Sequence, residues 1–200
     1  MVDPIQLSSV GTFFSQLLSR SIEIVEAPKS NPEAIWLLAP LMVTIILMEF
    51  YFGRYSKEEL GWNTAFGNSL VLIFIAAFLF KYIHENNLWL DSTKMAVMAI
   101  LISVGLILTI VDYLHLIPKK LAFTISSKLP LNYLAYAVIV LVYTDIPVEA
   151  LTILSFIVLF IAFSIFVWFI HVMAPQIKDT IFPGSVPEPS PESPQYKEST

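Results

Sequence analysis

Residues 150–173 run ALTILSFIVLFIAFSIFVWFIHVM without one Asp, Glu, Lys or Arg. Coiled at 1.5 Å per residue, such a stretch is about 36 Å long, enough to cross the ~30 Å hydrocarbon core of a bilayer. A segment this apolar is solvated by lipid, and the rest of the chain has to be organised around the same bilayer.

Further apolar runs follow the same pattern, each bordered by helix signals. Ser30, Asn31, Pro32 and Glu33 form a capping sequence with proline in the first turn, ahead of a span over about 34–52. Pro40 inside that span removes one backbone hydrogen bond and favours a kink, and Gly53 ends it. Ser56-Lys57-Glu58-Glu59 is an S-x-x-E capping box, so the next helix is expected to start at Lys57 and to cross over about 62–83. Asp91 or Ser92 caps a third span over about 95–116, which stops before Pro118-Lys119-Lys120. Asp145 and Pro147 open the final one, about 149–173. The fold class expected is all-α: a polytopic integral membrane helical bundle of about five transmembrane helices.

The fourth of these, about 130–145, has the weakest signal. Ser126, Ser127 and Lys128 interrupt the apolar pattern, and Pro130 restarts a clean run only from Leu131 to Tyr143. At 1.5 Å per residue that run covers roughly 20 Å, short of the bilayer core unless neighbouring residues contribute. A short crossing preceded by an interfacial segment is expected, with a re-entrant element as the competing reading.

Two appendages flank the transmembrane domain of residues 31–174. Within residues 1–30, Val10, Phe13, Phe14, Leu17, Leu18, Ile22 and Val25 recur at helical spacing opposite Ser8, Thr12, Ser15, Ser19 and Glu23. This is the pattern of an amphipathic helix lying in the membrane interface, or of one packed on a partner. After Pro175 the composition changes: six of the 13 prolines fall at 175–194 among Glu and Ser. Residues 175–200 therefore read as a disordered, solvated tail.

Composition excludes several functions. With five spans of roughly 20 residues in a chain of 200, no sizeable globular domain remains. The 11 Lys and Arg are dispersed and the net charge is -5, which gives nucleic acid no basic surface. There is no cysteine, hence no disulfide and no thiolate metal site. Residues 1–10 lack the basic and apolar regions of a signal peptide, so insertion is expected to rely on the first true span. In the five-span topology seven basic residues fall on the side of Arg54, Lys119 and Lys178, and four on the side of Arg20, Lys29, Lys81 and Lys94. That bias favours the N-terminus outside and the C-terminus in the cytoplasm.

Chemistry, if present, resides in polar residues within or near the bilayer, where ionisable groups are costly. Antiparallel spans bring Glu49, Asp112, His115 and His171 toward one membrane face, with Asn63, Thr64 and Asn68 of the second span. Asp112 and His115, three apart, are expected to share a helix side. One reading is a polar vestibule or ion site in which Glu49 and Asp112 exchange protons or hold a cation. The other is structural: each group lies within about two turns of a helix end, close enough to reach headgroups or a neighbouring helix. Tyr51, Tyr55, Trp62, Tyr82, Trp89 and Tyr113 read as interface anchors. Ala99 and Ser103, with Gly67, are candidates for close helix packing.

No H-E-x-x-H, G-x-S-x-G or G-x-x-x-x-G-K motif occurs, and His84, His115 and His171 lack metal-ligand spacing. The expectation is a non-enzymatic membrane subunit or scaffold without catalytic, metal or cofactor site, whose partners are the bilayer, copies of itself or other membrane proteins. The alternative is a small ion or proton channel or transporter.

Overall fold

The computed structural model describes residues 4–54 and 61–181. All regular structure among them is helical: α1 (Pro4–Glu26), a 3-10 turn (Ala27–Ser30), α2 (Pro32–Arg54), α3 (Trp62–Glu85), a second 3-10 turn (Leu88–Leu90), α4 (Ser92–Tyr113), α5 (Lys119–Ile125), α6 (Lys128–Tyr143) and α7 (Ala150–Ile181). Among the described residues five segments are long and apolar enough to cross a membrane: Pro32–Tyr51, Trp62–Glu85, Ser92–Tyr113, Lys119–Tyr143 and Ala150–Ile170. The chain is thus a multi-pass helical membrane bundle, as its apolar runs require.

Local chemistry fixes the helix starts. Asn31 caps α2, its Oδ1 accepting from the backbone N–H of Glu33 at 3.0 Å and of Ala34 at 3.4 Å, with Pro32 in the first turn. Of the two cap candidates for α4 it is Asp91, whose Oδ1 accepts from the N–H of Thr93 and Lys94, each at 3.0 Å. Thr152 donates its hydroxyl back to the Pro147 carbonyl at 2.7 Å, holding the turn that opens α7. The capping box at 56–59 lies outside the described residues, except that α3 begins only at Trp62 behind Gly61, which provides no side-chain cap.

Packing places α6 at the centre. It touches α2, α3, α4 and α7, and none of its residues Lys128–Tyr143 is exposed. Around it, α2 buries Ala34, Leu38, Leu41 and Ile45, and α3 buries Ala65, Ser69, Leu72, Ala76, Leu79 and Ile83, each a stripe at three-to-four-residue spacing. The most extensive pairing is α3 with α4. It depends on Gly105, where a Cβ would stand 3.2 Å from both Leu72 Cβ and Ile73 Cγ1.

α1 lies along α7 with opposed direction: Arg20 meets Glu149 at 2.8 Å, while Ser155 Oγ lies 3.5 Å from the Leu17 carbonyl. Leu17, Ser21 and Ile24 form the buried side, and Phe14, Leu18, Ile22 and Val25 form a separate exposed apolar sector. Tyr136 fastens its end by donating to the Ile24 carbonyl at 3.2 Å.

Several expectations change. The helix of the first span continues past Gly53 to Arg54. α7 continues past Pro175 to Ile181, into the stretch read as tail; residues 182–200 lie outside the described residues. Gly67 has no neighbour for a Cβ within 4 Å, and Ala99 and Ser103 are exposed. Close packing within the chain therefore uses Gly105 instead. The fourth crossing is a broken helix: α5 stops at Ile125 and α6 starts at Lys128, so Ser126 and Ser127 interrupt the helix as they interrupt the apolar pattern.

Candidate functional site: a polar junction at the helix break

The interruption between α5 and α6 sits where polar side chains of two other helices, α3 and α4, converge. A break in a membrane helix leaves backbone groups that cannot be solvated by lipid and must find partners in protein. Asn68 of α3 supplies one, its Nδ2 donating to the Ser126 carbonyl at 2.9 Å. The Ser126 hydroxyl in turn donates to Asp112 Oδ2 of α4 at 2.7 Å.

Asp112 is 1% exposed, and its Oδ2 receives a second hydroxyl, that of Ser69 on α3, also at 2.7 Å. Ser69 is fully buried and has the Ala65 carbonyl within reach at 3.1 Å, so its single proton stands between two acceptors. Asp112 therefore joins α3, α4 and the helix break through one oxygen. Its other oxygen, Oδ1, and Thr109 Oγ1 one turn earlier on α4 are buried without a hydrogen-bond partner among the described residues.

Glu49 is buried on α2 and interacts electrostatically with Lys128, the first residue of α6. Both charges thus lie against the N-terminal end of the central helix, where burial is costly unless charges are paired.

The geometry separates the other candidates. His115 is no longer helical: α4 ends at Tyr113, Leu114 caps it, and His115 takes a left-handed conformation with φ 53. The Leu116 N–H donates to the Val111 carbonyl at 3.0 Å, the six-to-one bond of a Schellman cap. Asp112 and His115 therefore do not share a helix side. His115 stacks on Trp62, ring centroids 4.1 Å apart, and is solvent- or headgroup-facing. Asn63 is exposed on the first turn of α3. The side chain of His171 lies outside the described residues. Among the described residues, no group of three His, Asp or Glu has metal-site geometry.

Spacing alone missed Ser69, Ser126 and Lys128. The available signal was the Ser126-Ser127-Lys128 interruption, which marks polar residues at bilayer depth that need partners from neighbouring helices.

At the opposite end of the bundle, Asn31 Nδ2 donates to the Tyr143 carbonyl at 3.3 Å, and Tyr82 stacks on Tyr143 with centroids 4.0 Å apart. Lys94 meets Asp145 there at 3.3 Å. Between the two ends, Tyr133 donates to the Phe156 carbonyl at 2.6 Å, tying α6 to α7. An apolar cavity of about 330 Å³ borders that contact, lined by Leu38, Met42, Tyr133, Tyr136 and Phe163.

The fold and this junction define a multi-pass α-helical membrane protein with a discontinuous central span. The chain matches no protein-family model, and no curated protein and no solved structure is significantly similar to it.

Proposed function

We propose that the protein is a non-enzymatic membrane subunit or scaffold, in which the intramembrane polar groups hold the bundle in one arrangement. The observation that carries this reading is Asp112: the most deeply buried acid among the described residues is engaged by two hydroxyls from different elements. Its hydrogen bonds serve the α3–α4–α6 assembly. Interhelical hydrogen bonds of this kind contribute about 0.6 kcal/mol on average and up to about 1.7. Ala99 and Ser103, one turn apart on the exposed side of α4, support contact with a further helix. The excess of Lys and Arg on the Lys119 side supports a cytoplasmic placement for that end.

The test is paired. Liposomes containing the protein are expected to pass protons and monovalent cations no faster than empty ones. Native mass spectrometry in mild detergent is expected to show a dimer or higher species; a strictly monomeric, partnerless chain would sink the reading.

A second reading, an ion or proton pathway, draws support from Thr109 Oγ1 and Asp112 Oδ1, two buried oxygens one turn apart that have no hydrogen-bond partner among the described residues. Flux present in wild type and lost in Asp112→Asn would establish it in place of the first.

A further inference from the structure

α2 and α3 both lean on α6 but make no extended contact with each other. The space between them is a lateral cleft with α6 as its floor. Two cavities occupy it, one of about 470 Å³ at the Tyr143 end and one of about 320 Å³ toward Lys128, and they share Leu37 and Pro40 in their walls. They therefore form one groove along the bundle. On α2 it reaches from Glu33 to Thr44 and on α3 from Glu85 to Asn68. At 1.5 Å per residue these are roughly 16 and 25 Å, at least the depth of one bilayer leaflet.

The chemistry changes along that length. The middle walls are apolar, formed by Leu37, Leu41, Val71, Ile75 and Leu131, and the inner end is lined by the polar side chains of Thr44, Asn68, Asn132 and Lys128. The outer end gathers Glu33, Glu85 and Lys81 with the aromatic faces of Trp36 and Tyr82. Lys81 and Glu85 are 3.7 Å apart and both more than half exposed, so each remains open to a ligand. Trp36 is 81% exposed, an unusual position for a tryptophan unless its ring meets the headgroup layer or a ligand in it.

We infer that the α2–α3 cleft binds a zwitterionic glycerophospholipid of the bilayer, with its headgroup between Glu33, Lys81 and Glu85 and one acyl chain along the groove toward Lys128. The charge pattern selects this occupant. The ligand ammonium meets two carboxylates and the Trp36 face, while the phosphate meets the Lys81 ammonium. An anionic headgroup would face two carboxylates against one lysine, and a sterol would leave all three charges unused. Each cavity is within the usual size range of small-molecule sites, and the apolar wall removes chain methylenes from competition with bulk lipid only through shape. The apolar cavity on the other side of α2 has no comparable charged end.

The full-length protein, reconstituted in phosphatidylcholine vesicles containing a little phosphatidylcholine with a diazirine in one acyl chain, tests this by photolabelling and peptide mapping. Labelling is expected to concentrate on residues 37–44 and 71–75, at least fivefold above Ile157, Ile161 and Ile165 on the outer side of α7. Val71→Trp and Thr44→Trp, both at exposed positions that fill the groove, are expected to reduce it at least fivefold with unchanged gel-filtration behaviour. Glu33→Gln with Glu85→Gln should remove the preference for phosphatidylcholine over phosphatidylglycerol probe, which in wild type should be at least threefold. Even labelling of cleft and α7, equal labelling by the two lipids, or cross-linking of the cleft to a second copy of the chain would each overturn the inference.

Discussion

In the span Ala150–Ile170 only 17% of the most apolar stretch is buried within the protein, against 39% in Lys119–Tyr143, although the first is the most apolar of the five spans and the second the least. Water would reverse that order, driving the most apolar helix to the centre. Lipid does not, because its chains solvate leucine as well as a protein interior does, and helices associate through close packing and hydrogen bonds instead. α7 carries Ile153, Ile157, Ile161 and Ile165 on its exposed side and presents Thr152, Ser155 and Phe156 to the bundle. α6 packs against four helices with no residue exposed, and can therefore follow a break and carry a lysine and an asparagine. The lesson is that in this chain a weak hydropathy signal marks the axis of the bundle.

Substitutions sharpen the contrast. The largest difference is expected between two isoleucines: Ile139→Ala in α6 should cost about 2–5 kcal/mol, as for buried aliphatic truncations, and Ile161→Ala in α7 less than about 0.5. Reversible unfolding in bicelles reads both, and equal losses would break the comparison. Next comes Gly105→Val, which forces α4 off Leu72 and Ile73 and should destabilise by about 1–3 kcal/mol. Asp112→Ala strands the buried Ser126 hydroxyl and should cost about 1–2 kcal/mol, with Asp112→Asn recovering most of it because an amide oxygen still accepts. A D112N variant as unstable as D112A would show that geometry other than these bonds holds the junction. The smallest effect is at the periphery: Arg20→Ala releases the partly exposed pair with Glu149 and should change stability by at most about 0.5–1 kcal/mol, less in high salt, while raising amide exchange over α1.

The class of fold and the positions of four spans were legible in the apolar runs, because lipid imposes a length that a sequence states openly. The caps at Asn31 and Asp91 were legible too, since cap chemistry is local. The fourth span was legible as a short, interrupted run, but its central place was not, because contact with four helices is a tertiary fact that no window of residues 121–143 contains. The candidate site was legible in part. Asp112 and Asn68 do reach one junction, but their partners Ser69 and Ser126 are common residues whose role depends on the helix break. The pairing of Asp112 with His115 failed for a backbone reason: a residue other than glycine takes the left-handed cap position, which spacing rules built on a continuous helix cannot foresee.

The central claim, that the least apolar span is the enclosed axis and the most apolar one the lipid face, has a direct test. With no native cysteine, single cysteines can be placed along 131–142 and 152–166 and spin-labelled in lipid vesicles. Oxygen accessibility is predicted to stay low in α6 at 135, 138, 139 and 142 and below the α7 maxima at the cleft-lining 131 and 132, and to oscillate with helical period in α7, high at 153, 157, 161 and 165 and low at 152, 155 and 156. An α6 profile that oscillates to values as high as those of α7 would contradict the account.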